Sequence, residues 1–239
     1  MLPFAWIKIP AGKVTIDSKP YDVAPFEISK YPITHAQYKP FIADEGYTTD
    51  RWWTAQGLQA KQERNWTHPR WNTDKYTGDT QPVVDLSWYE AVAFCLWLNE
   101  KTGENFMLPT EQQWQRAAQG DDERIYPWGN EWNAKFCNSR ESQRYVTTPV
   151  TQYEGLGDSP FGVVDMCGNC GEWCVTDFHT GINDIAHDSK WRVVRSGSFY
   201  YTKDNLEVSK RFGLYPIGDD VRSLSFNGFR IVRINASGS

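Results

Sequence analysis

The sequence is short of positive charge, of long apolar runs and of histidine. Lys and Arg total 25 against 30 Asp and Glu, a net charge of −5. A nucleic-acid-binding face is normally basic, so no nucleic acid is expected as a partner. No apolar run approaches the ~18 residues of a membrane span, so no membrane insertion is expected either. Met1 to Pro10 places Lys8 inside a short apolar stretch and does not read as a signal peptide. The four histidines, His35, His68, His179 and His187, are isolated from one another. Internal repeats and low-complexity linkers are missing too. One domain is therefore expected over residues 1–233, with a disordered tail at 234–239. Oligomeric state leaves no mark in the sequence.

Cysteine is sparse and odd in number: Cys95, Cys137, Cys167, Cys170 and Cys174. Three of them crowd into the 167–174 stretch. That is a poor disulfide framework; it fits a reducing compartment, and a cytoplasmic chain is expected. The C-x₂-C at 167–170 has no second C-x₂-C to complete tetrahedral zinc, although His179 could reach it. The alternative is a turn of buried thiols.

Aromatics are abundant: 12 Trp, 12 Tyr and 12 Phe. Large rings supply much core area per residue, which suits a loop-rich fold pinned by aromatic clusters. Trp6 to Gly12 reads as a strand and turn, and Val14–Ile16 and 23–31 read as further extended segments. Thr34 is a plausible N-cap for a helix through 43, with Pro40 as a possible break. Residues 44–80 are polar, hold Trp52, Trp53, Trp66 and Trp71, and show no period; a long excursion is expected there. Ser87 caps a helix that Gly103 ends, and Thr110-Glu-Gln-Gln113 is a capping box for a second, stopped by Gly120. Thr110, Glu111 and Arg116 read as capping and helix-surface charges. Strands are expected at 172–177, 192–195 and 229–233.

Between the last two strands lies the most informative stretch. Arg195-Ser-Gly-Ser-Phe199-Tyr-Tyr leads into an irregular run that ends at Phe226-Asn-Gly-Phe-Arg-Ile-Val-Arg233. The middle has no helical or strand period, yet it is rich in Tyr, Phe, Leu, Asp, Ser and Arg. Strands that frame a mixed aromatic surface are what a recognition site needs. No catalytic set appears there, so a binding protein and no enzyme is expected.

Several segments, taken in order, resemble one superfamily. They are the Pro-Ile-Thr34 entry to the first helix, Pro82-Val-Val-Asp-Leu-Ser-Trp88, Leu108-Pro-Thr-Glu-Gln-Gln-Trp114, Tyr126-Pro-Trp-Gly-Asn130, Gly168-Asn-Cys-Gly-Glu-Trp173, Val194-Arg-Ser-Gly-Ser198 and Gly228-Phe-Arg230. The chain is similar in these to the formylglycine-generating-enzyme (sulfatase-modifying factor) domain, a variant of the C-type lectin fold. The resemblance implies an irregular, loop-rich α+β domain, with two main helices packed on small twisted antiparallel sheets.

The family's enzymes need a Cys pair after the Ser-Gly-Ser turn to bind copper and oxidise a substrate Cys. Soft sulfur suits Cu(I), but residues 196–233 hold no Cys; the positions fall among Tyr200, Tyr201, Asn205 and Leu206. Other relatives use three His, mainly from an added helical domain. No copper or iron is therefore expected. An oxidoreductase with an altered site, drawing on Cys167, Cys170 and Cys174, is the alternative. The family's motif at Gly168–Trp173 implies a possible structural calcium on Asn169 and Glu172. The other reading has Asn169 capping the turn and Glu172 pairing with a buried Arg.

The variable proteins of diversity-generating retroelements resemble this chain more closely. In them the segment between the two strands is mutagenised at template adenines. The framework positions implied are Ser196–Ser198, Arg211, Pro216, Arg222 and Gly228–Arg230. The ligand-contacting positions implied are Tyr200, Tyr201, Asp204, Asn205, Phe212, Leu214, Tyr215, Asp219, Ser223, Leu224 and Phe226. Tyr and Phe anchors dominate protein interfaces, so an unknown protein or peptide is the expected partner. The 44–80 excursion could help form the face, act as an oligomer contact or merely pack, and the sequence does not choose among them.

Overall fold

The computed structural model describes residues 3–69, 77–218 and 226–234. In chain order the strands are β1 (Trp6–Ile9), β2 (Gly12–Ile16), β3 (Lys19–Val23), β4 (Phe26–Ser29), β5 (Phe106–Met107), β6 (Gly171–Asp177), β7 (Arg192–Arg195), β8 (Phe212–Leu214), β9 (Asn227–Gly228) and β10 (Val232–Arg233). The α-helices are α1 (His35–Ala43), α2 (Ala55–Glu63), α3 (Trp88–Thr102) and α4 (Glu111–Gln119).

One sheet, ordered β1-β4-β10-β5, brings both ends of the chain together. A hairpin of β2 and β3 stands beside it. Its turn, Asp17-Ser18, has positive φ at both positions (48° and 65°), which matches the twist of the two strands. β3 was not foreseen: Lys19, Pro20 and Asp22 are exposed and leave no alternating pattern to read. The second four-stranded sheet runs β8-β7-β6-β9. Its β6–β9 pair is parallel, which corrects the expectation of antiparallel sheets only. Gly228 lets β9 pack closely on the segment before α3, since a Cβ would lie 2.2 Å from the Val83 carbonyl oxygen.

Each helix opens on a hydroxyl cap. Thr34, Thr54, Ser87 and Thr110 accept from the backbone N–H groups of Gln37, Gly57, Glu90 and Gln113. Three of these are full capping boxes. Pro40 does not break α1. A helical Pro costs about 3 kcal/mol, whereas burying Tyr38 and Phe41 completely returns roughly 1.5–3 kcal/mol each. α2 is a helix inside the stretch read as irregular. Its buried face is Gly57, Ala60 and Lys61, too weakly apolar to show a period.

The main core is aromatic: Tyr38, Phe41, Phe94, Trp97 and Phe229 meet ring to ring. Trp52, Trp53 and Trp66 join this core, and are buried. Trp52 donates to Glu100 Oε2 (2.9 Å) and Trp53 to the Gly46 carbonyl (2.8 Å). The described part of the excursion therefore spends these tryptophans on the core and not on a ligand face. A second core lies between the N-terminal strands and α4, around Ile9, Val14, Ile28 and Trp114. Among the described residues no helix is long and apolar enough to cross a membrane.

Candidate ligand-binding face

The segment after β7 is held by charge that is itself out of water. Arg195 is fully buried and donates to Glu111 Oε1 (2.7 Å), Gln115 Oε1 (2.9 Å) and the Val208 carbonyl. Arg211 grips both Glu111 oxygens (2.8 Å each) and reaches Asp17 Oδ2 (2.5 Å). Glu111 is thus a buried anchor between two guanidinium groups, not a helix-surface charge. Arg116 is also buried, and donates to the Gly120 and Ala11 carbonyls and to Asp121 Oδ1. The missed signal was the pairing of an acidic first-turn residue with two arginines far along the chain.

Between these anchors the backbone turns at Ser196-Gly197, both with positive φ (71° and 69°). A Cβ on Gly197 would sit 2.7 Å from Leu206 Cδ2, and with its positive φ this position favours glycine. The chain then docks on residues 125–142 by backbone bonds. Arg140 N–H donates to the Tyr201 carbonyl (3.0 Å) and Val208 N–H to the Ile125 carbonyl (2.8 Å). Lys203 N–H donates to Glu141 Oε1 (2.9 Å).

On this fixed backbone the expected contact residues divide. Tyr200 and Tyr215 stand outward, 41% and 43% exposed. Arg140 lies over the Tyr200 ring (6.0 Å), and Trp191 packs on Tyr215 (4.2 Å between ring centroids). Neither Arg140 nor Trp191 was foreseen as part of the face. Asp204 and Asn205 are exposed on a single 3-10 turn. Tyr201 and Phe212 are half-buried against each other (5.1 Å). Phe212 and Leu214 belong to β8 and lean on the main core, and Phe226 packs on Phe199 (4.4 Å). Asp219, Ser223 and Leu224, with framework Arg222, lie outside the described residues. Tyr200, Tyr215, Asp204 and Asn205 can therefore meet a ligand directly, while Tyr201, Phe212, Leu214 and Phe226 also carry packing.

The Gly168 turn has its own logic. Glu172 and Arg230 form a fully buried ion pair, with Nε–Oε2 2.6 Å and Nη2–Oε1 2.7 Å. Trp114 Nε1 adds a third donor to Glu172 (2.6 Å). Asn169 Oδ1 accepts from Thr148 N–H (2.9 Å) and Asn138 Nδ2 (3.1 Å); its Nδ2 donates to Thr148 O and Asp165 Oδ2. As arranged, Asn169 and Glu172 do not fit a calcium ion, because donors already occupy the oxygens it would take. This is the pairing of Glu172 with a buried Arg. Burial raises the carboxyl of neighbouring Asp165 to about 7.

The thiols do not converge either. Cys174 lies in the second core, Cys170 against Gly228, and Cys167 beside Tyr126 and Leu206. Burial pushes all three well above the ordinary thiol range. His179 meets Trp191 edge-on and takes no place among them. Among the described residues no group of three or more His, Cys, Asp or Glu is placed to hold a metal. A three-thiol centre on Cys167, Cys170 and Cys174 does not fit this arrangement.

Comparison with known proteins defines the class. The profile of the sulfatase-modifying factor enzyme 1-like domain matches residues 5–235, and the chain belongs to that family. It is 32% identical to the hercynine oxygenase of Mycobacterium tuberculosis over 203 residues, 74% of this chain and 46% of that protein. It is 26% identical to the formylglycine-generating enzyme of Mus musculus over 237 residues, 80% of this chain and 59% of that protein. The chain thus spans about half the length of these curated relatives. Among solved structures, Treponema denticola variable protein 1 shares the fold at a TM-score of 0.66 and 19% identity, covering 96% of this chain and 94% of that one. The enzyme names correct the expectation that the chain is no enzyme. That expectation rested on the missing Cys pair, the isolated histidines and the lack of a catalytic set between the last strands, and the family the chain belongs to includes named enzymes.

Proposed function

We propose that this chain binds a protein or peptide through the face built by Tyr200, Asp204, Asn205 and Tyr215, with Arg140 and Trp191 beside them. The observation that carries this is two exposed tyrosines, 41% and 43% accessible, on a backbone locked by the Arg195–Glu111–Arg211 network. Rigid aromatics bury area at a low entropy cost, and a preset backbone avoids the cost of ordering on binding. The fold is shared with a variable protein, and we propose further that the face is diversified by a retroelement.

Two experiments test this. Panning a displayed random-peptide library against the immobilised chain should enrich ligands that no longer bind Tyr200→Ala or Tyr215→Ala. Enrichment indifferent to both changes refutes the face. Sequencing the gene's 3′ segment across the source population should find codons 199–226 varying while those for 195–198 and 228–233 stay constant. An invariant segment removes diversification and leaves binding standing.

A second reading is favoured by the relatives' names: an oxidoreductase of the formylglycine-generating type with an altered site. Stoichiometric copper or iron in the purified chain, with oxygen consumed as a substrate thiol is lost, would select it.

A further inference from the structure

A small third core holds two thiols that the proposed face leaves unused. Cys137 and Cys167 are free and buried, packed with Tyr126 and Leu206 and covered in part by Trp128, Trp132 and Tyr201. Their register follows from the backbone. Asn138 and Gly168 form a parallel bridge, closed by Asn169 N–H donating to the Asn138 carbonyl (2.8 Å). A Cβ on Gly168 would lie 2.3 Å from that carbonyl oxygen, so the two segments approach as closely as backbone allows. Cys137 and Cys167 each stand one residue before the bridge. Paired positions in a parallel ladder point to the same side, and neighbouring strands lie about 4.8 Å apart. Disulfides span Cα separations of roughly 4.4–6.8 Å. Burial raises the Cys167 thiol, and the nearby Cys137 thiol adds to the shift; the Cys167 thiol donates to the Leu206 carbonyl (3.4 Å). Cys95, Cys170 and Cys174 lie in the other cores or against Gly228 and have no such partner in register.

We propose that Cys137 and Cys167 are a redox pair that forms a reversible disulfide by exchange with a low-molecular-weight disulfide. One thiolate attacks the small disulfide, breaks its S–S bond and releases one small thiol. The second protein thiol then attacks the mixed disulfide and releases the other. Two electrons and two protons leave the protein, and both appear on the two small thiols. Buried thiols of raised pKa react slowly, so the exchange runs through opening of the Tyr201–Leu206 cover. Once formed, the bond ties the segment carrying Arg140 and Glu141 to the Gly168 turn. These are the groups on which Tyr201 and Lys203 dock, so oxidation stiffens the floor of the face. The inference does not depend on what the face binds.

The test equilibrates the full chain with oxidised and reduced glutathione, quenches with acid, alkylates, digests and maps cross-links by mass spectrometry. The expected result is a Cys137–Cys167 cross-linked peptide, two thiols of the five protected, and reversal by dithiothreitol. Hydrogen exchange across 199–206 should slow about threefold or more in the oxidised chain, since the segment opens less often. Five alkylated thiols after equilibration, or a cross-link within Cys167, Cys170 and Cys174 instead, would overturn the proposal. The Cys137→Ser variant should lose the cross-link. If that variant fails to fold, the wild-type map, and one from a Cys170→Ser/Cys174→Ser double variant, still decide the question.

Discussion

Replacing Glu172 by Gln would strip the charge from one end of the most enclosed ion pair in the fold. Both partners are fully buried, and Glu172 receives three hydrogen bonds, two from Arg230 and one from Trp114. Arg230 also donates to the Ser29 carbonyl (3.1 Å) and the Val164 carbonyl (2.9 Å), so it joins β4 to the loop before the Gly168 turn. Gln fills the same volume, but its amide turns a donor towards donors and leaves the guanidinium without a counter-charge. Breaking a buried pair from one side costs about 3–5 kcal/mol. In a chain of this length each kcal/mol moves Tm by about 2–4 °C, so a fall of roughly 6–20 °C is expected. Thermal and urea unfolding, followed by near-UV circular dichroism and tryptophan fluorescence, would measure it. The double change Glu172→Leu with Arg230→Met should recover part of the loss, because the stranded charge goes with it. Recovery stays partial, since the Ser29 and Val164 carbonyls lose a donor. A loss below about 1 kcal/mol for Glu172→Gln would refute the reasoning, since a stranded buried charge cannot cost so little. The same samples test calcium. A chelator, or added calcium, should leave the wild-type Tm unmoved; a calcium-dependent rise would show that the Glu172 oxygens are not already committed.

Asp165 sets a pH dependence. Its carboxyl is raised to about 7 in the fold, so the folded state holds this proton more tightly than the unfolded chain does. The stabilisation is complete below about pH 4 and is lost as pH rises through about 7. Asp165→Asn keeps an acceptor for Asn169 and suits the positive φ of 56°. It should flatten the urea midpoint across that window, and an unchanged slope would refute the assignment. Tyr200→Ala and Tyr215→Ala should each weaken a selected ligand about 10–30-fold, with Tm moving by less than about 2 °C, since exposed rings carry little stability. Ser87→Ala removes a buried cap that accepts from Glu90 N–H (3.1 Å), and should cost about 1–2 kcal/mol in urea titrations.

Caps and turns were readable because their chemistry is local. Ser87 with Glu90, Thr110 with Gln113, and Gly103 in a left-handed conformation at the end of α3 each depend on residues a few positions apart. The ordered motifs placed the family for the same reason. What stayed hidden depends on distance along the chain. Glu111 looked like an exposed first-turn acid because its partners, Arg195 and Arg211, come 84 and 100 residues later. Trp52, Trp53 and Trp66 could not be told from surface aromatics, because the core that takes them is built by α1 and α3. Exposure at the candidate face was also illegible. Tyr200 and Tyr201 are neighbours, and only the docking on Arg140 sends one outward and the other onto Phe212.

That division would let the proposed face change while the backbone holds. The groups that hold the backbone are Arg195, Glu111, Arg211, Gly197 and Arg230, and each bonds or packs inward. Tyr200 and Tyr215 project outward, and each touches a neighbouring side chain without anchoring the chain. A substitution at either alters the chemistry offered to a ligand and leaves the buried network intact. Tyr201 and Leu206 differ, because they cover the Cys137–Cys167 pair. A small residue at either position would uncover those thiols, and at Tyr201 it would alter the edge of the face as well. Faster thiol alkylation in Tyr201→Ala than in Tyr200→Ala would separate the two kinds of position; equal rates would show that the cover does not gate the pair.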